Sequence, residues 1–111
     1  MRKTEIKFEI ELDQNNVPEK IYWDATDKPD HTLTETKSIS IAVWDNAQKN
    51  TLRIDLWAKD MPVDEMKRFY IECLGGMAQS VLQSTGDEYI SNEMNTLCDR
   101  LVAHVRKERN G

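Results

Sequence analysis

The sequence predicts an α+β domain of two layers: a four-stranded antiparallel sheet with one face covered by two C-terminal helices. Three observations carry that prediction. Apolar residues recur at every second position in four segments of the first half. They recur at three- and four-residue spacing through the second half, and turn-forming residues separate the segments.

The strands are expected at about 4–12, 20–25, 37–44 and 51–58. In the first, Ile6, Phe8, Ile10 and Leu12 alternate with Lys7, Glu9 and Glu11, the pattern of a half-buried strand. Asn15, Asn16 and Pro18 supply a turn, and Ile21, Trp23 and Ala25 resume the apolar side opposite Tyr22 and Asp24. Thr26 to Thr36 has no period and reads as a long surface loop. Ile39, Ile41 and Val43 define the third strand, a hairpin loop follows at Asp45–Asn50, and Leu52, Ile54 and Leu56 define the fourth.

The apolar pattern also sets a register. Centring the second hairpin on Ala47 and Gln48 pairs Val43 with Leu52, Ile41 with Ile54 and Ile39 with Leu56. The same reasoning pairs Leu12 with Ile21, Ile10 with Trp23 and Phe8 with Ala25 in the first hairpin. One face of the sheet is then dry, and the other collects Lys7, Glu9, Glu11, Tyr22, Asp24, Ser40, Ala42, Arg53 and Asp55.

Two helices, at about 62–84 and 88–108, are expected to cover the dry face. Met66, Tyr70, Cys73, Leu74, Met77 and Val81 form the apolar stripe of the first; Ile90, Met94, Leu97, Cys98, Leu101 and Val105 form that of the second. Pro62 suits a first helical turn, and Asp60, Asp64 and Glu65 place negative charge at the positive end of the helix dipole. Gly86 breaks the pattern between them. Gly75 and Gly76 cost helix propensity, which points to close packing there against the sheet or the other helix, with a hinge as the alternative. Ile54 and Leu74 are expected core positions, where truncation to Ala costs about 2–5 kcal/mol.

The 111 residues fit one domain, 1–111. Against 15 basic residues stand 20 acidic ones, a formal net charge of −5, which argues against general binding to nucleic acid. The start carries charges at every second position, unlike a signal peptide, and no run is apolar enough to insert in a membrane. A cytoplasmic location is expected, with Cys73 and Cys98 as reduced packing residues.

Little points to chemistry. His31 and His104 have no metal-ligand spacing around them, and neither cysteine has a histidine nearby in sequence. No glycine-rich loop joins a strand to a helix. The expectation is a protein that is not an enzyme, with no cofactor and no metal. The tryptophans are the better lead. Parity sends Trp44 and Trp57 to the wet face, at opposite ends of their hairpin and roughly 20 Å apart, where each can either fold over a sheet edge or serve an interface. With Tyr22, Arg53 and Asp55 they make a candidate interaction surface for a protein partner, a second copy of the chain included. The open sheet edges are the other candidate, since unpaired amides invite another strand.

Several stretches together are familiar: "MRKTEIKFEIELDQNNVPEKIYWDAT", "ISIAVWD", "NTLRIDLWAKDMPVDEMKRF" and "MAQSVLQSTGDE". They resemble the GldC family, the gliding-motility-associated proteins of gliding Bacteroidetes, over nearly the whole chain. The resemblance implies an accessory component linked to gliding motility, with no activity, cofactor or catalytic residues to carry over. The order of four strands and two helices is also that of the SecB export chaperone. No motif is shared, so this analogy of plan offers only an alternative function, a binder of unfolded or exported polypeptides.

Overall fold

The computed structural model describes residues 1–29 and 34–110; His31 lies outside them. The chain forms two compact units, residues 1–61 and residues from Pro62 onward, each described by itself. The first holds β1 (Ile6–Leu12), β2 (Pro18–Ala25), β3 (Thr34–Thr36), β4 (Ser38–Asp45) and β5 (Asn50–Trp57). The second holds α1 (Val63–Thr85) and α2 (Glu88–Asn110).

The fold is α+β, but the strands do not make one four-stranded sheet. They make a three-stranded sheet in the order β1-β2-β3 and a separate two-stranded sheet, β4-β5. The cause is β3, which falls inside the segment expected to be a loop. It takes the open edge of β2, pairing Ile21 with Thr36 and Trp23 with Thr34, so that β4 has no place there. Its alternation is real, with Thr34 and Thr36 half-buried and Glu35 exposed, but threonines carry it in place of apolar residues. The Lys28 ammonium helps hold the edge: it bonds the Thr34 hydroxyl and lies 4.8 Å from the centroid of the Trp23 ring.

The β4-β5 register is the expected one: Val43 faces Leu52, Ile41 faces Ile54 and Ile39 faces Leu56. Its turn is built by Asp45, whose Oδ1 accepts from the amides of Ala47 at 2.9 Å and Gln48 at 3.1 Å. Lys49 closes the turn in the left-handed region at φ 56°.

The β1-β2 register differs by two residues. Ile10, not Leu12, faces Ile21; Phe8 faces Trp23 and Ile6 faces Ala25. The reason is the turn. Asp13 Oδ1 accepts from the amides of Asn15 at 2.8 Å and Val17 at 3.0 Å, and the Asp13 amide donates to the Val17 carbonyl at 2.9 Å. That tight loop, with Asn16 at φ 62° and a bulge at Glu11/Leu12, brings Leu12 opposite Pro18. Up to the bulge, the even shift keeps the side chains from Ile6 to Glu11 on their expected faces. The Val17 amide, then the Lys59 ammonium and the Asn15 amide, hold the Asp13 carboxyl below its usual range.

One backbone bond ties the sheets together at one end, from the Lys59 amide to the Pro18 carbonyl at 2.9 Å, just beyond the Ala58 amide to Lys37 carbonyl bond at 2.8 Å that extends the β4-β5 ladder. The core of this unit lies there. Ile21, Ile39, Ala58 and Ser38 are buried, whereas Val43 and Leu52, toward the other end of the β4-β5 ladder, are half-exposed. Ile54 is 54% exposed, so the dry face is dry only in part.

In the second unit, the Gly86 amide caps α1 by donating to the Leu82 carbonyl at 2.8 Å, with Gly86 at φ 74°. Asp87 Oδ1 accepts from the Ile90 amide at 3.0 Å and so starts α2. The seam between the helices is made of small residues. Ala78 and Ser91 are buried, and Ser91 Oγ donates to the Ala78 carbonyl at 2.9 Å. Next along the seam, a Cβ added at Gly75 would meet Cys98 Sγ at 3.9 Å, an ordinary contact. Several of the expected stripe residues, Tyr70, Met77, Ile90 and Leu97, are exposed instead. Met66, Cys73, Leu74, Val81, Met94, Cys98, Leu101 and Val105 of that stripe are half-buried, and the closest contact adds Gly75, Ala78 and Ser91, because only small side chains let two backbones approach closely.

The glycines then separate by role. Gly76 has nothing within 4 Å of an added Cβ, so Gly76→Ala is expected to stabilise the protein by about 0.5–1 kcal/mol through helix propensity. Gly86→Ala, forced into a left-handed conformation, is expected to cost about 1–2 kcal/mol. Urea titration of the two variants checks the opposite signs.

Candidate interaction surface

The polar face of the β4-β5 hairpin is built by parity from four facing pairs: Ser38 with Trp57, Ser40 with Asp55, Ala42 with Arg53 and Trp44 with Thr51. At its centre is a three-residue network. Arg53 Nε donates to Asp55 Oδ2 at 3.2 Å, and Nη2 donates to Asp55 Oδ1 at 3.0 Å and to Ser40 Oγ at 2.7 Å. Ser40 Oγ donates to Asp55 Oδ1 at 2.6 Å. The Ser40 hydroxyl, and after it the Arg53 guanidinium, hold the Asp55 carboxyl below its ordinary range, so it is ionised at neutral pH.

Serine, arginine and aspartate superficially suggest nucleophilic catalysis, but the chemistry does not follow. An arginine cannot accept the proton of a serine, and the serine proton already points at the carboxylate. The arrangement instead locks three polar side chains across two strands and stiffens the face between the tryptophans.

Trp44 is 63% exposed and Trp57 50% exposed, at the two ends of this network. The ladder spacing keeps them roughly 20 Å apart, as expected from the register. Arg53 and Asp55 lie between them. Tyr22 does not join the group: it is on β2, half-buried, between Glu9 and Glu35 in the other sheet. Assigning it to the same face depended on a single sheet. Ser40 belongs to the network although only its place on the wet face was anticipated; its position opposite Asp55 in the β4-β5 register is the signal that identifies it.

Elsewhere, Cys73 and Cys98 are half-buried and are not joined in a disulfide. His104 lies 3.4 Å from Glu108, which also pairs with Lys67 at 3.1 Å. Among the described residues, no group of three or more His, Cys, Asp and Glu side chains is placed to hold a metal ion. Also among them, no helix is long and apolar enough to cross a membrane.

The sequence model of a family described as gliding motility-associated protein GldC-like matches residues 18–107. No curated protein and no solved structure matches the chain.

Proposed function

Since this chain belongs to the GldC-like family of gliding motility-associated proteins, we propose that it is a non-enzymatic accessory component of gliding motility that works by binding another protein. The family is not a known enzyme family. The matched span, 18–107, runs through both compact units, which supports reading residues 1–111 as one GldC-like domain; a cytoplasmic location is part of the same proposal.

The observation that carries the binding role is the pair of exposed tryptophans on one stiffened face. Large rings left in water are costly unless something covers them, and tryptophan and arginine are the residues that most often dominate a protein interface. Trp44, Trp57, Arg53 and Asp55 are the proposed contact residues. Both rings are exposed, so Trp44→Ser with Trp57→Ser is expected to leave the fold intact. The same double variant is expected to abolish spreading of gliding cells at unchanged protein level. Motility components recovered by crosslinking with the unsubstituted protein would be lost. Normal spreading together with an unchanged set of crosslinked partners would remove this surface from consideration.

A second reading, a SecB-like binder of unfolded or exported polypeptides, is favoured by a different feature. Val43, Leu52 and Ile54 are half-exposed on a two-stranded sheet, and among the described residues neither β4 nor β5 pairs with a third strand. Crosslinking to a broad range of exported proteins, insensitive to the tryptophan changes, is the result that reading predicts.

A further inference from the structure

We propose that the α1-α2 hairpin is a self-association surface, on which a second copy of the chain packs α2 against α2 in antiparallel order about a two-fold axis near Leu97. Ile90 and Leu97 lie one heptad apart on α2, a straight line along the helix, and are 43% and 42% exposed. Ser91 and Cys98, about 100° around the helix from that line, are turned to α1. Tyr70 and Met77, also one heptad apart, are exposed on α1. The opposite side of the hairpin is a charged groove, lined in part by Asp64, Arg68, Glu72 and Arg106.

Charge identifies the occupant. Beside Ile90 and Leu97 run Glu93 and Arg100, again at heptad spacing, and neither makes an ion pair among the described residues. They are opposite in sign and placed almost symmetrically about Leu97. An antiparallel second copy therefore brings Glu93 level with Arg100 of the other chain, and Arg100 level with its Glu93. Leu97 meets Leu97 between the two pairs. A two-fold interface requires such reciprocity, since residue i contacts j and j contacts i. A parallel pairing would set Glu93 against Glu93 and Arg100 against Arg100. The longer-range field agrees: α2 carries Glu88 in its first turn and Lys107 and Arg109 in its last. Antiparallel copies thus match acidic end to basic end.

The test reads mass, not motility, and is independent of the tryptophan face. Sedimentation velocity of the full chain is expected to show a dimer at micromolar concentration. Glu93→Arg alone puts arginine against arginine at both pairs, and Arg100→Glu alone puts glutamate against glutamate. Each is expected to weaken dimerisation at least about tenfold. Mixing the two single variants restores both opposite-charge pairs, and so does the double variant; both are expected to recover the dimer. Both substituted positions, Glu93 and Arg100, are solvent-facing in the monomer, and circular dichroism checks that helix content is kept. A monomer at every concentration overturns the proposal. So does a dimer indifferent to these changes, or loss of the dimer that neither mixing nor the double variant repairs.

Discussion

Ile21→Ala is expected to destabilise the protein by about 2–5 kcal/mol, among the largest effects of any single truncation in the first unit. Ile21 has no solvent exposure and is the largest fully buried side chain among the described residues. It sits on the central strand of the three-stranded sheet, with Ile10 facing it from β1 and Thr36 from β3. Removing its methyl groups leaves a space that two flanking strands, held by their own ladders, can fill only in part. Ile54→Ala is the control. Its side chain is already half in water, so the expected cost falls to about 1–2 kcal/mol, below what the alternating pattern suggests. Chemical denaturation of the two variants decides the matter. Equal losses would mean that Ile54 is as buried as Ile21 in solution, and that the ladder is covered along its length.

Ala78→Leu is the second large effect, expected to cost about 1–3 kcal/mol and to loosen the helical hairpin. Ala78 is fully buried, and its carbonyl accepts the Ser91 hydroxyl at 2.9 Å. A leucine there must push α1 away from α2, which stretches that bond and opens the seam at Gly75 and Cys98. Met77→Leu, one residue away on the exposed side, keeps both volume and exposure and is expected to change stability by less than about 0.5 kcal/mol. A thermal melt in which Ala78→Leu matches the unsubstituted protein would show that the helices do not touch at this point.

These two positions mark the boundary between what the residues announce and what they conceal. Alternation identifies the faces of β1, β2, β4 and β5, because successive strand side chains point opposite ways whatever surrounds them. It does not report depth. Ile54 and Ile39 obey the same rule on the same face of the β4-β5 hairpin, yet one is half-exposed and the other buried. The helical stripe behaves likewise. Ile90 and Leu97 have the right spacing, but Ala78 and Ser91, too small and too polar to stand out in a pattern of large apolar residues, form the buried contact.

The candidate surface was legible to the same extent. Trp44, Trp57, Arg53 and Asp55 share a face because the β4-β5 register follows from its apolar pairs, and a strand slipped by one residue would turn that whole set to water. That Tyr22 lies in the other sheet was not legible, because no local signal distinguishes one sheet from two. That choice rests on β3, three residues of threonine and glutamate whose strand character comes from pairing with β2 and not from their own hydrophobicity.

By itself, then, the sequence determined the α+β order, the helix boundaries at Pro62 and Gly86, the β4-β5 register and the family. These depend on short-range chemistry: side-chain period, a carboxylate that caps a turn, a glycine free to adopt positive φ. Tertiary structure alone decided the division into two sheets, the two-residue shift in the first hairpin, the Ser40–Arg53–Asp55 network and the line of contact between the helices. Each of those is a competition between alternatives that satisfy the same local pattern, and it is settled by hydrogen bonds and close contacts between residues distant along the chain.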